Sequence, residues 1–73
     1  MNLTQVIVGK EYRIAQIQTG DEELEGFLFS LGCYSGEPIT VVSRKKRSCV
    51  VSIKDGRYNI DNQLAEAIQI EEP

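Results

Sequence analysis

The sequence predicts a mainly β fold: a small, partly closed barrel of about five strands, with one early α-helix and a short C-terminal helical turn. Three observations carry this reading. Apolar residues come in short runs bounded by turn signals, among them Gly36-Glu37-Pro38 and Asp55-Gly56. Only one stretch, Leu24-Phe27-Leu28-Leu31, repeats with the i, i+3, i+4, i+7 spacing of a helical face. The chain has 73 residues, and so short a chain buries only roughly 60% of its unfolded surface. Closing the sheet on itself removes edges that it has little else to cover.

Residues 1–73 are read as one domain, without linker, repeat or low-complexity segment. A short apolar piece around Leu3, Val6 and Ile7 precedes a turn at Gly9-Lys10. Tyr12, Ile14 and Ile17 mark a strand from about Glu11 to Gln18. Its alternation slips by one residue between Ile14 and Ile17, which predicts a bulge where the strand bends into the barrel. The helix is predicted over Glu22–Leu31. Thr19 or Asp21 offers a capping oxygen, and Glu22 stands three residues after Thr19 as a capping box requires. Asp21, Glu22, Glu23 and Glu25 then complement the helix dipole, and Gly32 ends the helix in a left-handed conformation.

The rest reads as strands. Ile39, Val41 and Val42 open a strand reaching Ser43, and Arg44-Lys45-Lys46-Arg47-Ser48 forms the next loop. Cys49 to Ile53 is a strand with Val51 and Ile53 on one face, and Asp55-Gly56 turns it into a return strand carrying Tyr58 and Ile60. Asp61-Asn62 caps a single helical turn through Leu64 and Ala65. Ile68 and Ile70 give a final short strand before the polar end Glu71-Glu72-Pro73.

Composition excludes several classes of function. Histidine is absent, which removes the usual general base and the commonest nitrogen ligand for metals. No glycine-rich phosphate loop exists, because Gly32 and Gly36 are not followed by Lys-Ser/Thr. An enzyme is therefore not expected, and the residues call for no cofactor. Cys33 and Cys49 permit three readings: a pair, soft-metal ligands completed from elsewhere, or small buried hydrophobes. The Asp21–Glu25 carboxylates have two: a divalent-ion attractor or dipole partners at a helix start.

Eight basic and 11 acidic residues give a net charge of −3, which argues against general nucleic-acid binding. The charge is unevenly spread, since Arg44, Lys45, Lys46 and Arg47 hold half of the basic residues. Such polarity suits orientation on a charged partner, and it equally suits solvated patches that keep a small domain soluble. The N-terminus lacks a basic region followed by an apolar run, and no stretch approaches the ~20 apolar residues of a membrane span. The expectation is a cytoplasmic protein that is not membrane-inserted, with a peripheral place at the inner face of the membrane as an alternative.

The stretch Leu28-Phe29-Ser30-Leu31-Gly32-Cys33-Tyr34-Ser35-Gly36-Glu37-Pro38-Ile39 resembles the FeoA pattern of Leu, two variable residues, Leu or Met, Gly, three variable residues, Gly, two variable residues, Ile or Val. Leu3, Val6 and Gly9 are similar to that family's opening element. Tyr58-Asn59-Ile60, Ala65 and Ile68-Gln69-Ile70 are similar to its closing strand, turn and strand. The resemblance spans essentially the whole chain. It implies an SH3-like barrel and a non-enzymatic accessory role in bacterial ferrous iron transport. The implied partner is the cytoplasmic, GTP-binding part of the ferrous iron permease. Related domains at the C-terminus of iron-dependent repressors imply a second role, in repressor regulation or a homo-oligomer, and a small RNA-binding barrel is a third. The chain departs from the family's pattern at four places: Phe27 and Asp61 stand where many members carry Arg, Ser35 stands for a frequent Pro, and the basic run replaces a Gly/Pro-rich loop.

Two candidate contact surfaces follow. Phe29 lies about 100° around the helix from Leu28 and points away from the buried face, beside Glu22, Glu25 and Gly26, with Tyr34 extending the patch. A barrel loop covering Phe29 is the competing reading. The other surface is Arg44, Lys45, Lys46 and Arg47, suited to an acidic protein surface or an anionic leaflet.

Overall fold

Alternation places Tyr12 and Ile14 inward on the first strand, and the computed structural model, which describes residues 1–71, shows why that strand is central. Strand β1 (Glu11–Ile17) lies between β2 (Pro38–Arg44) and β5 (Ile68–Glu71). With β3 (Ser48–Ile53) and β4 (Gly56–Asp61) they form one antiparallel sheet in the order β4-β3-β2-β1-β5. The expected slip in β1 is present as a register shift against β5 between Ile14 and Gln16. A second shift, between Val41 and Ser43 of β2, adds another bend that the sequence did not signal.

The inward faces of the five strands fill the core. Ile14, Ile39, Val41, Val51, Ile53, Ile60 and Ile68 are essentially inaccessible to solvent. Each such side chain contributes roughly 1.5–3 kcal/mol relative to exposure. Helix α2 (Asn62–Ala67) joins the edge strands β4 and β5 and packs on a 3-10 turn at Leu3–Gln5. It is longer than the single turn expected through Ala65. Asp61 caps it through a bond from the Leu64 amide, 2.9 Å. The outer edge of β5 is covered by the N-terminus: Asn2 bridges Gln69, and the Ile70 amide donates to the Met1 carbonyl at 2.9 Å. Closure thus uses a segment before the first strand as well as the strands themselves.

Helix α1 (Glu22–Ser30) ends one residue before the expected Leu31, which is its C-terminal cap. Asp21 is the N-cap and accepts from the amides of Glu23 and Leu24, so the box built on Thr19 and Glu22 does not form. The predicted buried face is also narrower than its spacing implied. Leu28 is fully buried and Leu24 and Leu31 are half-buried, whereas Phe27 is 48% exposed. The i, i+4, i+7 row alone meets a barrel whose interior is already filled, and Phe27 falls on the flank. Gly32 follows at φ 98°, the left-handed conformation expected there.

The β3–β4 hairpin turns at Lys54-Asp55, one residue earlier than the Asp55-Gly56 signal. Pairing Val51 with Tyr58 and Cys49 with Ile60 sets this register, which leaves Lys54 at φ 51°. Gly56 opens β4 with the Tyr58 ring lying over it, where a Cβ would stand 2.7 Å from Tyr58 Cζ. The polar end begins within β5 at Glu71, and Glu72 and Pro73 lie outside the described residues.

Candidate functional site

Phe29 and Tyr34 are brought together by the reversal at the end of α1. The Cys33 amide donates to the Leu28 carbonyl at 3.1 Å, and the Glu37 amide donates to the Tyr34 carbonyl at 3.0 Å. The tight path leaves Phe29 39% and Tyr34 48% exposed, with ring centroids 5.8 Å apart and a 37° tilt. Among the described residues no barrel loop closes over Phe29. The turn is fixed to β1 by the Ser35 hydroxyl, which donates to the Ala15 carbonyl at 2.8 Å, and by Arg13, which donates to the Gly36 carbonyl at 2.8 Å.

The hairpin supplies a cation to this patch. Lys54 Nζ stands 5.8 Å from the Tyr34 ring centroid and 3.3 Å from Glu37 Oε1. An open groove of about 510 Å³ runs between the end of α1 and the hairpin, lined by Leu31, Gly32, Tyr34, Lys54 and Tyr58 among others. Gly32 makes room in it for the Lys54 side chain: a Cβ there would lie 3.0 Å from Lys54 Cε. An exposed Tyr34, a half-buried Tyr58, a neighbouring Phe and one cation suit a partner with an apolar body and a polar or acidic flank. Lys54, Glu37 and Tyr58 were not found from the sequence. No local pattern links them to Tyr34; the sheet register does.

The basic run is at the other end of β2, whose seven residues span about 20 Å. Here the structure corrects an expectation. Arg44 is the last residue of β2 and not part of the loop, and its guanidinium donates to the carbonyls of Leu3 and Val6 at 3.1 and 3.3 Å. It ties the N-terminal segment to the barrel. Lys45, Lys46 and Arg47 are the exposed loop. Its backbone is held by the Lys45 amide donating to Ser48 and by Asn62, whose amide donates to the Arg47 carbonyl and whose side chain donates to that of Lys46. The two candidate surfaces are therefore separate.

Cys33 and Cys49 are free and fully buried. Burial pushes the Cys33 thiol up to about 11. It also raises the Cys49 thiol, against the lowering influence of Arg44 beside it. Among the described residues, no three Cys, Asp or Glu side chains are grouped to hold a metal ion. The Asp21–Glu25 carboxylates lie at the start of α1, with Asp21 engaged as its cap.

The model of the FeoA domain matches residues 1–72. The chain belongs to the FeoA domain family. Solved structures agree on the fold. A zinc-complexed FeoA of Stenotrophomonas maltophilia, described as a procaryotic SH3 domain protein, has 16% identity and a TM-score of 0.87, over 97% of this chain and 89% of that one. An iron uptake regulatory protein, also FeoA, has 21% identity and a TM-score of 0.85, over 96% of this chain and 93% of that one. A manganese-dependent transcriptional repressor has 19% identity and a TM-score of 0.88; the match covers 96% of this chain and 40% of the repressor. No curated protein sequence matches significantly. The SH3-like barrel expected of a FeoA domain is thus present, and no helix among the described residues is long and apolar enough to cross a membrane.

Proposed function

We propose that this FeoA domain is a non-enzymatic accessory protein of ferrous iron transport, acting in the cytoplasm by binding the cytoplasmic part of the ferrous iron permease. The observation that carries the reading is the exposed Phe29–Tyr34 pair, set beside Lys54 on a turn anchored to β1. Large aromatics held rigidly at a surface lose little side-chain entropy when a partner covers them, which is why they anchor protein interfaces. The absence of histidine from the sequence supports binding over catalysis as the mode of action.

The test is ferrous iron uptake in cells deleted for this gene and complemented in turn. Wild type restores uptake, and a Phe29→Ala/Tyr34→Ala variant of equal abundance does not. Undiminished uptake in the deletion strain, with no second FeoA domain present, contradicts the reading.

The likeness to the manganese-dependent repressor favours a second reading, a regulatory domain that contacts a DNA-binding protein. Recovery of such a protein in place of the permease from a cross-linked cell extract would select it.

A further inference from the structure

The turn between the 3-10 helix and β1 projects two adjacent apolar side chains. Ile7 is 64% exposed and Val8 47% exposed. The turn is nevertheless rigidly built. The Lys10 amide donates to the Ile7 carbonyl at 3.2 Å, the Gly9 amide donates to the Val41 carbonyl at 2.8 Å, and the Ile7 amide donates to the Tyr12 hydroxyl at 3.1 Å. Its exposure is a fixed property of the fold and not a consequence of a loose terminus.

Cations lie at the same end of the barrel as this tip. Lys10 Nζ lies over the Tyr12 ring, 5.3 Å from its centroid, next to the Ile7 amide. Arg44 is bonded to the Val6 carbonyl directly beneath the tip. Lys45, Lys46 and Arg47 follow at the same end of β2, and α2, whose first residue holds their loop, packs on the Leu3–Gln5 turn. Five of the chain's eight basic residues thus gather at this end. Acids also occur on these elements: Glu11 follows Lys10, the exposed Glu66 lies on α2, and Asp61 is engaged as the α2 cap. The single ion pair among the described residues, Lys54–Glu37, is elsewhere.

We infer that the Ile7–Val8 tip, with Lys10 and the Lys45, Lys46 and Arg47 loop at the same end of the barrel, forms a docking surface for an anionic phospholipid bilayer. A convex apolar tip needs a partner that can deform around it, and the cations need a surface of opposite charge. A bilayer containing anionic lipid meets both needs, with the side chains entering the headgroup layer and the cations facing phosphates. The surface lies at the opposite end of β2 from the aromatic groove, so this inference and the permease reading stand or fall separately.

The experiment is co-sedimentation with vesicles of phosphatidylcholine alone and of phosphatidylcholine with phosphatidylglycerol. Wild type sediments with the mixed vesicles at low salt, is released at high salt, and stays in solution with phosphatidylcholine alone. Replacing Lys45, Lys46 and Arg47 by Ala lowers the partition coefficient on the order of a hundredfold. Ile7→Ser/Val8→Ser lowers it about tenfold at unchanged charge. Circular dichroism verifies that each variant is folded. No sedimentation of wild type with the mixed vesicles overturns the inference. Undiminished binding by Ile7→Ser/Val8→Ser also overturns it, because the apolar tip then takes no part and the attraction is that of the cations alone.

Discussion

The Tyr58 ring lies across the backbone of Gly56 two residues earlier on β4, filling the space in which a Cβ at Gly56 would stand. This contact gives the edge strand an aromatic cover and forms one wall of the groove beside Tyr34. Gly56→Ala forces the outer end of the ring aside and costs about 1 kcal/mol, the low end of overpacking, because the ring is partly exposed. In a Tyr58→Ala background the same change costs less, because nothing then occupies that space. A double-mutant cycle by urea denaturation measures the coupling.

Arg44 acts on the N-terminal segment through two carbonyls, not through a partner protein. Arg44→Met leaves the Leu3 and Val6 carbonyls without their charged donor and destabilises the fold by about 1 kcal/mol. Lys45→Ala, on an exposed neighbour, stays within about 0.5 kcal/mol of wild type. Denaturation midpoints of the two variants separate the structural cation from its neighbour.

The buried thiols add an alkaline limit. The folded Cys33 thiol titrates near 11 against an ordinary value of 9.0, so between these values the folded state holds a proton that the unfolded state has released. Its contribution to stability is complete below pH 9 and is lost as pH rises toward 11. Unfolding free energy therefore falls more steeply over that window in wild type than in Cys33→Ala. Native-state labelling by a thiol reagent at neutral pH is slow for the same reason, since the thiolate is the reactive form.

Much of this fold is legible in the sequence because strand alternation and turn chemistry are local. The bulge after Ile14, the left-handed Gly32, and the inward Val51 and Ile53 follow from neighbours within a few residues. Phe27 did not, because periodicity identifies which face of a helix is apolar but not how wide a surface waits for it. Only the Leu24-Leu28-Leu31 row has that surface. The hairpin turn shifted to Lys54-Asp55 because cross-strand pairing of Val51 with Tyr58 outweighed the local preference of Asp-Gly. Among the candidate contact residues, the exposure of Phe29 follows from helix geometry, but its proximity to Tyr34 depends on the Gly32 reversal, and the approach of Lys54 depends on sheet register. Arg44 looked like one of four equivalent cations; strand β2 carries it past the loop's start to a non-local backbone contact.

The most direct measurement of the central claim is the affinity of the purified protein for the cytoplasmic domain of the ferrous iron permease, by isothermal titration calorimetry. The account predicts saturable binding by wild type and at least a tenfold loss for Phe29→Ala/Tyr34→Ala, with a variant neutralised at Lys45, Lys46 and Arg47 binding like wild type. Because both rings are partly exposed, the double variant remains folded, and circular dichroism checks this. Equal affinity of wild type and Phe29→Ala/Tyr34→Ala, or no binding by wild type, contradicts it.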